Sequence, residues 1–178
     1  YAQAETYYLK AMELSPKMKN PYNNMGNVRN KQGNFDEALM YYKRAIELDP
    51  QYYGPHHNIG SLYYMRWKNE TRDRDDLLEA ETWLQKAIEL RPDDPMAYQT
   101  IGGVYLQLAD QQAGEHMRQA EVNFLKAVEL RPNDALSHAQ LGYIYYYLGD
   151  YDKARLYWEK SKELGYQYDE IDRLLGEI

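Results

Sequence analysis

KNPYNNMGNVRNKQGNFDEALMYYKRAIELDPQY, residues 19–52, contains two apolar stripes separated by Gly33-Asn34 and closed by Pro50. The first stripe carries Tyr22 and the pair Met25-Gly26; the second carries Ala38, Tyr42 and Ala45. Apolar residues at i, i+3, i+4, i+7 spacing on both sides of a glycine turn predict two amphipathic helices folded back on each other. The marks recur down the chain. Ile59-Gly60, Ile101-Gly102 and Leu141-Gly142 repeat the apolar–glycine pair, and Ala80, Ala120 and Ala154 repeat the alanine that opens the second stripe. Pro16 to Pro50 is 34 residues, Pro50 to Pro92 is 42, Pro92 to Pro132 is 40, and Pro132 to Tyr166 is again 34. A repeat of this period fixes the architecture, because each unit buries its apolar face only against its neighbours.

The residue types explain the pattern. Glycine and alanine stand where two helices approach closely, and the large residues four positions after each alanine (Tyr42, Leu84, Phe124, Trp158) fill the space opposite. Gly149-Asp150 repeats the turn dipeptide in the last full unit. The phrase Glu-Leu-X-Pro at 13–16, 47–50, 89–92 and 129–132 predicts the end of each second helix, since the residue before proline is pushed out of helical geometry.

These residues resemble the tetratricopeptide repeat. Tyr22, Met25, Gly26, Ala38, Tyr42, Ala45 and Pro50 fall on the motif in the first full unit, and His56, Ile59, Gly60, Tyr63, Ala80, Leu84, Ala87 and Pro92 in the second. Tyr98, Ile101, Gly102, Tyr105, Ala120, Phe124, Ala127 and Pro132 follow in the third, then His138, Leu141, Gly142, Tyr145, Ala154, Trp158 and Ser161 in the fourth. The resemblance implies an all-α solenoid, a right-handed superhelix of antiparallel helix pairs. The expected organisation is a second helix at 1–18, full repeats at 19–52, 53–94, 95–134 and 135–168, and a capping helix or opening helix of a fifth repeat at 169–178. Ala4, Tyr8, Ala11 and Pro16 match the second half of a repeat, Leu175-Gly176 matches the first half of another, and there is no initiator methionine. The expectation is a piece of a longer protein, with its compartment left open.

Composition narrows the function classes. The 178 residues are 44% hydrophobic, enough for a continuous core in stacked repeats, and no run reaches the roughly 18 apolar residues of a membrane span. A net charge of −7 without a basic stripe argues against a nucleic-acid partner, and the lack of cysteine leaves neither disulfide nor thiolate chemistry. No metalloprotease helix motif, phosphate loop or nucleophile elbow occurs, so no cofactor, metal or catalytic residue is expected. His56 and His138 occupy the slot of Tyr22 and Tyr98 and read as packing residues. Asp73, Asp75 and Asp76 alternate with Arg72 and Arg74 and read as a solvated, self-compensating loop; Asn69-Glu70-Thr71 is a lone glycosylation sequon.

In tetratricopeptide-repeat proteins the first helices line a concave face that holds an extended peptide or a partner helix. The resemblance therefore implies a non-catalytic scaffold with a protein or peptide partner. Its alternative is a substrate-recruiting arm of a larger enzyme, such as a glycosyltransferase or a membrane-anchored polymer-handling enzyme. The corresponding face presents Asn23, Asn24 and Asn27 in the first unit and His57, Asn58, Ser61 and Tyr64 in the second. It continues with Gln99 and Thr100 in the third and Gln140, Tyr143, Tyr146 and Tyr147 in the fourth, grading from asparagine to tyrosine. An amide both donates and accepts, which suits backbone recognition, while tyrosine supplies apolar anchors. Asn24 and Asn58 resemble the asparagine ladder of O-GlcNAc transferases; Thr100, Gln140 and Leu174 depart from it. The carboxylate clamp of co-chaperones is not matched, because Asn23, Met96 and Thr100 stand where it needs cations. The long second and third units carry extra residues at about 67–76 and 109–116, which predict extended helices and a shared ridge anchored by Trp67. The half repeat around Tyr8 and Leu9 predicts end-to-end contacts, since a repeat cannot bury its apolar face alone.

Overall fold

A computed structural model describes residues 2–109, 114–167 and 169–177. Every regular element among them is helical. The chain divides into two compact units, Tyr1–Pro92 and Asp93–Ile178. The first contains α1 (Ala2–Leu14), α2 (Lys19–Lys31), α3 (Phe35–Leu48), α4 (Tyr53–Arg66) and α5 (Arg74–Leu90), with a π-helical turn at Trp67–Thr71. The second contains α6 (Pro95–Leu108), α7 (Gly114–Leu130), α8 (Ala135–Tyr147), α9 (Tyr151–Glu163) and α10 (Asp169–Glu177). In the first unit α2 packs on α3 and α4 on α5, with α1 on α2 and α3 on α4 joining successive pairs. In the second, α6 packs on α7 and α8 on α9, with α7 on α8 and α9 on α10 doing the joining.

The second helices α1, α3, α5 and α7 all end at the leucine of the Glu-Leu-X-Pro phrase. Gly33 and Gly149 have φ of 78° and 77°, left-handed values that favour glycine and close the α2–α3 and α8–α9 turns. The core of each pair is built as the spacing predicts. A Cβ placed on Gly60 would lie 2.6 Å from Leu84 Cγ, and one on Gly102 would lie 2.9 Å from the Phe124 ring. Gly26 and Gly142 meet Tyr42 and Trp158 in the same way. Ala38, Ala45, Ala80, Ala87, Ala120, Ala127 and Ala154 are fully buried. The Tyr22 hydroxyl donates to the Pro16 carbonyl at 3.1 Å; His56 and His138 donate from Nε2 to Pro50 and Pro132 at 3.0 Å. Tyrosine and histidine therefore do the same work in this slot: each fills space and satisfies the carbonyl of the proline six residues earlier.

Arg66 and the extra residues of the second repeat form a partly buried ionic hub around Asp76. Arg66 Nε lies 3.0 Å from both Asp76 carboxylate oxygens and Nη2 closes a further bond, while the Thr71 hydroxyl donates to the same carboxylate. The Arg66 guanidinium stacks on the Phe35 ring at 4.0 Å and on Tyr63 at 5.0 Å. Asp73 caps α5, accepting from Asp75 N at 3.1 Å. The expectation of a solvated acidic loop is therefore corrected for Asp76, which is 2% exposed. The cause is Arg66, ten positions before Asp76, which the π-helical turn brings back onto it. The extra residues lengthen the second helix of each long pair: α5 and α7 have 17 residues against 14 in α3 and 13 in α9. Half of the expected third-repeat insertion at 109–116, residues 110–113, lies outside the described residues.

Candidate functional site

The first helices of each unit carry the residues selected from sequence, and the structure sorts them by what they already hold. In the first unit the asparagines bind one another. Asn58 Nδ2 on α4 donates at 3.0 Å to Asn23 Oδ1 and at 3.0 Å to Asn27 Oδ1, both on α2. Asn27 Oδ1 also accepts from the Tyr42 hydroxyl at 2.8 Å, and burial holds that phenol well above its ordinary pKa. Asn23 is buried and approaches Asn24 Oδ1 at 3.5 Å. Both amide hydrogens of Asn58 are thus spent on stapling α4 to α2, and Asn24 is half-buried. His57 is half-buried and stacks on Tyr53 at 5.8 Å, and the Arg91 guanidinium lies 4.1 Å from the same tyrosine ring. Ser61 is half-buried. Tyr64 stacks flat on Trp67 at 6.1 Å, and Arg72 covers the Trp67 ring at 4.7 Å.

In the second unit Gln99, like Asn23, is bonded within the fold, but as the donor where Asn23 is the acceptor. Its Nε2 donates to Asp134 Oδ2 at 2.6 Å and approaches Ser137 Oγ at 3.5 Å. Asp134, 7% exposed, also accepts from Ser137 and pairs with Arg131 at 3.1 Å. Asn23 to Asn58 and Gln99 to Asp134 are both steps of 35 residues, about one repeat. Thr100 donates to the Met96 carbonyl at 2.8 Å. Gln140 is half-buried. Tyr143 meets Trp158 edge-on at 5.3 Å, and its hydroxyl approaches Glu170 at 3.4 Å. Tyr146 lies among Trp158 at 5.6 Å, Tyr151 at 5.7 Å and Tyr147 at 5.9 Å. Tyr147 is 75% exposed, and with Leu148 and Tyr151 it makes an open aromatic and aliphatic edge at the end of α8.

The sequence placed these side chains on the first helices, but side-chain periodicity does not show whether an amide is already bonded. Asp134 and Ser137 escaped notice, although an aspartate just ahead of an apolar helix is a recognisable start signal. The Asn58 staple gives a direct prediction. Asn58→Ala is expected to destabilise the first unit by about 1–3 kcal/mol, because it strips a donor from the buried Asn23 amide oxygen and from Asn27. Denaturant unfolding checks this; a midpoint equal to that of the unsubstituted protein would show that the amide cluster is not a staple.

The family profile described as tetratricopeptide repeat matches residues 20–52 and, in a second form, residues 123–156. No curated protein matches the chain. Solved structures match its fold. Pseudomonas aeruginosa pilF superposes with a TM-score of 0.81 at 22% identity, covering 96% of this chain and 71% of that one. MamA gives 0.74 at 24% identity, with 90% and 85% covered. The first tetratricopeptide repeat domain of Spaghetti (RPAP3), solved with the HSP90 peptide SRMEEVD, gives 0.63 at 23% identity, with 74% and 93% covered. Together with the glycine contacts inside each helix pair, these matches show that the chain carries tetratricopeptide repeats and has an all-α solenoid fold.

Proposed function

We propose that the chain is a non-catalytic scaffold that binds a protein partner, an extended peptide or a helix, along its first-helix faces. The observation that carries this reading is the open edge of the second unit, where Tyr147, Leu148 and Tyr151 stay exposed over a rigid cluster of Tyr146 and Trp158. Rigid aromatic anchors beside polar groups are what interface hot spots use. In the first unit Asn24 and the oxygen of Asn58 supply polar contacts, while Asn23 and Asn27 hold the surface in shape. In the second, Gln140 and Tyr143 supply them while Gln99 plays the holding part. A substrate-recruiting arm of a larger enzyme is the alternative setting for the same binding role. Association through the ends of the chain belongs to the same reading, supported by the exposure of Tyr7 and Leu9 on α1.

A display library of extended peptides, panned against the unsubstituted protein, tests the reading. Peptides recovered there are expected to lose at least about tenfold in affinity on Tyr147→Ala, the loss that 1.4 kcal/mol represents. Unchanged affinity would remove the aromatic edge from the site. The peptide SRMEEVD is expected not to bind. Asn23 is buried and bonded to Asn58, and Met96 and Thr100 offer no cation for its terminal carboxylate. Saturable binding of SRMEEVD would overturn that exclusion.

A further inference from the structure

We propose that the aromatic edge of the second unit takes a basic segment of a partner protein, seating a lysine or arginine side chain on the Tyr147 and Tyr151 rings beside Asp152. This rests on the scaffold reading and names the chemistry of its partner.

Charge is unevenly divided along the chain. Tyr1–Pro92 carries thirteen basic and thirteen acidic residues and is neutral, whereas Asp93–Ile178 carries eight and fifteen. The whole net charge of −7 therefore belongs to the second unit. Helix α8 itself has no acidic residue, lysine or arginine. The charges closest in sequence to Tyr147 and Tyr151 are Asp150 and Asp152. Asp150 is spent within the fold: it caps α9 by accepting from Lys153 N at 3.2 Å, and it pairs with Lys153 Nζ at 2.9 Å. Asp152 is exposed, and its carboxylate has no hydrogen bond or ion pair among the described residues.

The chain shows twice how it holds a lysine. Lys19 pairs with Asp49 while its ammonium lies 4.7 Å from the centre of the Tyr52 ring. Lys153 pairs with Asp150 and lies 4.7 Å from the centre of the Tyr145 ring. In both, a carboxylate and a tyrosine face share one ammonium, because the negative face of the ring attracts a cation within about 6 Å. Tyr151 and Asp152 adjoin in the first turn of α9 and offer the same parts. Among the described residues no cation of the chain lies over Tyr147 or Tyr151. Both rings pack on Tyr146, at 5.9 Å with planes 82° apart and at 5.7 Å with planes 56° apart, so they are held at fixed angles. Exposed Leu148 adds an apolar contact for the aliphatic stem of a lysine or arginine. An acidic segment would meet the carboxylate excess of this unit and be repelled. The attraction acts at an exposed surface, so salt weakens it.

Panning of displayed random peptides at low salt tests this, with Tyr147→Ala as the counter-target. Tyr147 and Asp152 are exposed, so Tyr147→Ala and Asp152→Asn leave the core intact, and thermal unfolding checks that they do. Peptides that prefer the unsubstituted protein are expected to be rich in lysine or arginine and to weaken as salt is added. Replacing their basic residue by norleucine, which keeps an aliphatic stem and removes the charge, is expected to lower affinity at least about tenfold. The same replacement should cost clearly less against Asp152→Asn. Peptides that are acidic, or that keep their affinity with norleucine, overturn the cation seat while the aromatic edge stands as a binding site. An equal norleucine loss against both proteins also overturns the seat, since its carboxylate would then lie elsewhere. If no peptide prefers the unsubstituted protein over Tyr147→Ala, the cation seat and the aromatic edge fall together.

Discussion

Trp158→Ala is expected to destabilise the second unit by about 3–5 kcal/mol, the range for emptying a buried tryptophan site. Trp158 is fully buried, its indole N–H donates to the Ala139 carbonyl at 3.2 Å, and its ring carries Tyr143 and Tyr146. It also fills the space that Gly142 leaves open. At about 2–4 °C per kcal/mol for a chain of this size, the melting temperature should fall by roughly 6–20 °C. Gly142→Leu attacks the same contact from the other side and should cost about 1–3 kcal/mol by overpacking. The double substitution is expected to cost clearly less than the sum, because the leucine occupies part of the space that the indole vacates. Thermal unfolding followed by circular dichroism reads all three. Strict additivity would show that Gly142 and Trp158 do not share one packing site.

The second large effect concerns the hub of the second repeat. Arg66→Met is expected to cost about 3 kcal/mol at neutral pH, because it leaves the Asp76 carboxylate buried without its cation. Adding Asp76→Asn to that variant should recover part of the loss by removing the uncompensated charge. The pH dependence has a fixed sign. Burial pushes the Asp76 carboxyl up, but the hydrogen bonds from Arg66 and Thr71 together outweigh it and hold the group below the ordinary carboxylate range. A depressed folded pKa contributes stability that is complete above the unfolded value and disappears as pH falls through the folded one. The gap between the unsubstituted protein and Arg66→Met should therefore be widest near neutrality and close in acid. A gap that is constant with pH, or absent, would show that Asp76 does not depend on Arg66.

Both effects have neighbours that polar networks make cooperative. The Asn23–Asn27–Asn58 cluster and the Gln99–Asp134–Ser137 cluster are each spent within the fold. Under the proposed binding role, the exposed side chains of the second unit's aromatic edge are Tyr147, Leu148 and Tyr151. If the proposed binding role holds, substituting polar residues of these clusters should lower stability and affinity together, whereas Tyr147→Ala should lower affinity alone.

The sequence by itself determined the helix pairs, their ends and their close contacts. Met25-Gly26 and its three equivalents, the alanines four positions before Tyr42, Leu84, Phe124 and Trp158, and the Glu-Leu-X-Pro phrases are local, periodic signals. Sterics at glycine and proline read them in the same way in every repeat. Tertiary structure alone decided the rest. Whether Asn58 faces a partner or staples α4 to α2 depends on an amide 35 residues away. Whether Asp76 is solvated or buried depends on Arg66 returning across a π-helical turn. A side chain's hydrogen-bond partner is set by three-dimensional proximity, and no period along the chain encodes it. The solenoid was therefore legible from residue spacing, while the division of its polar face into holding and open residues was not.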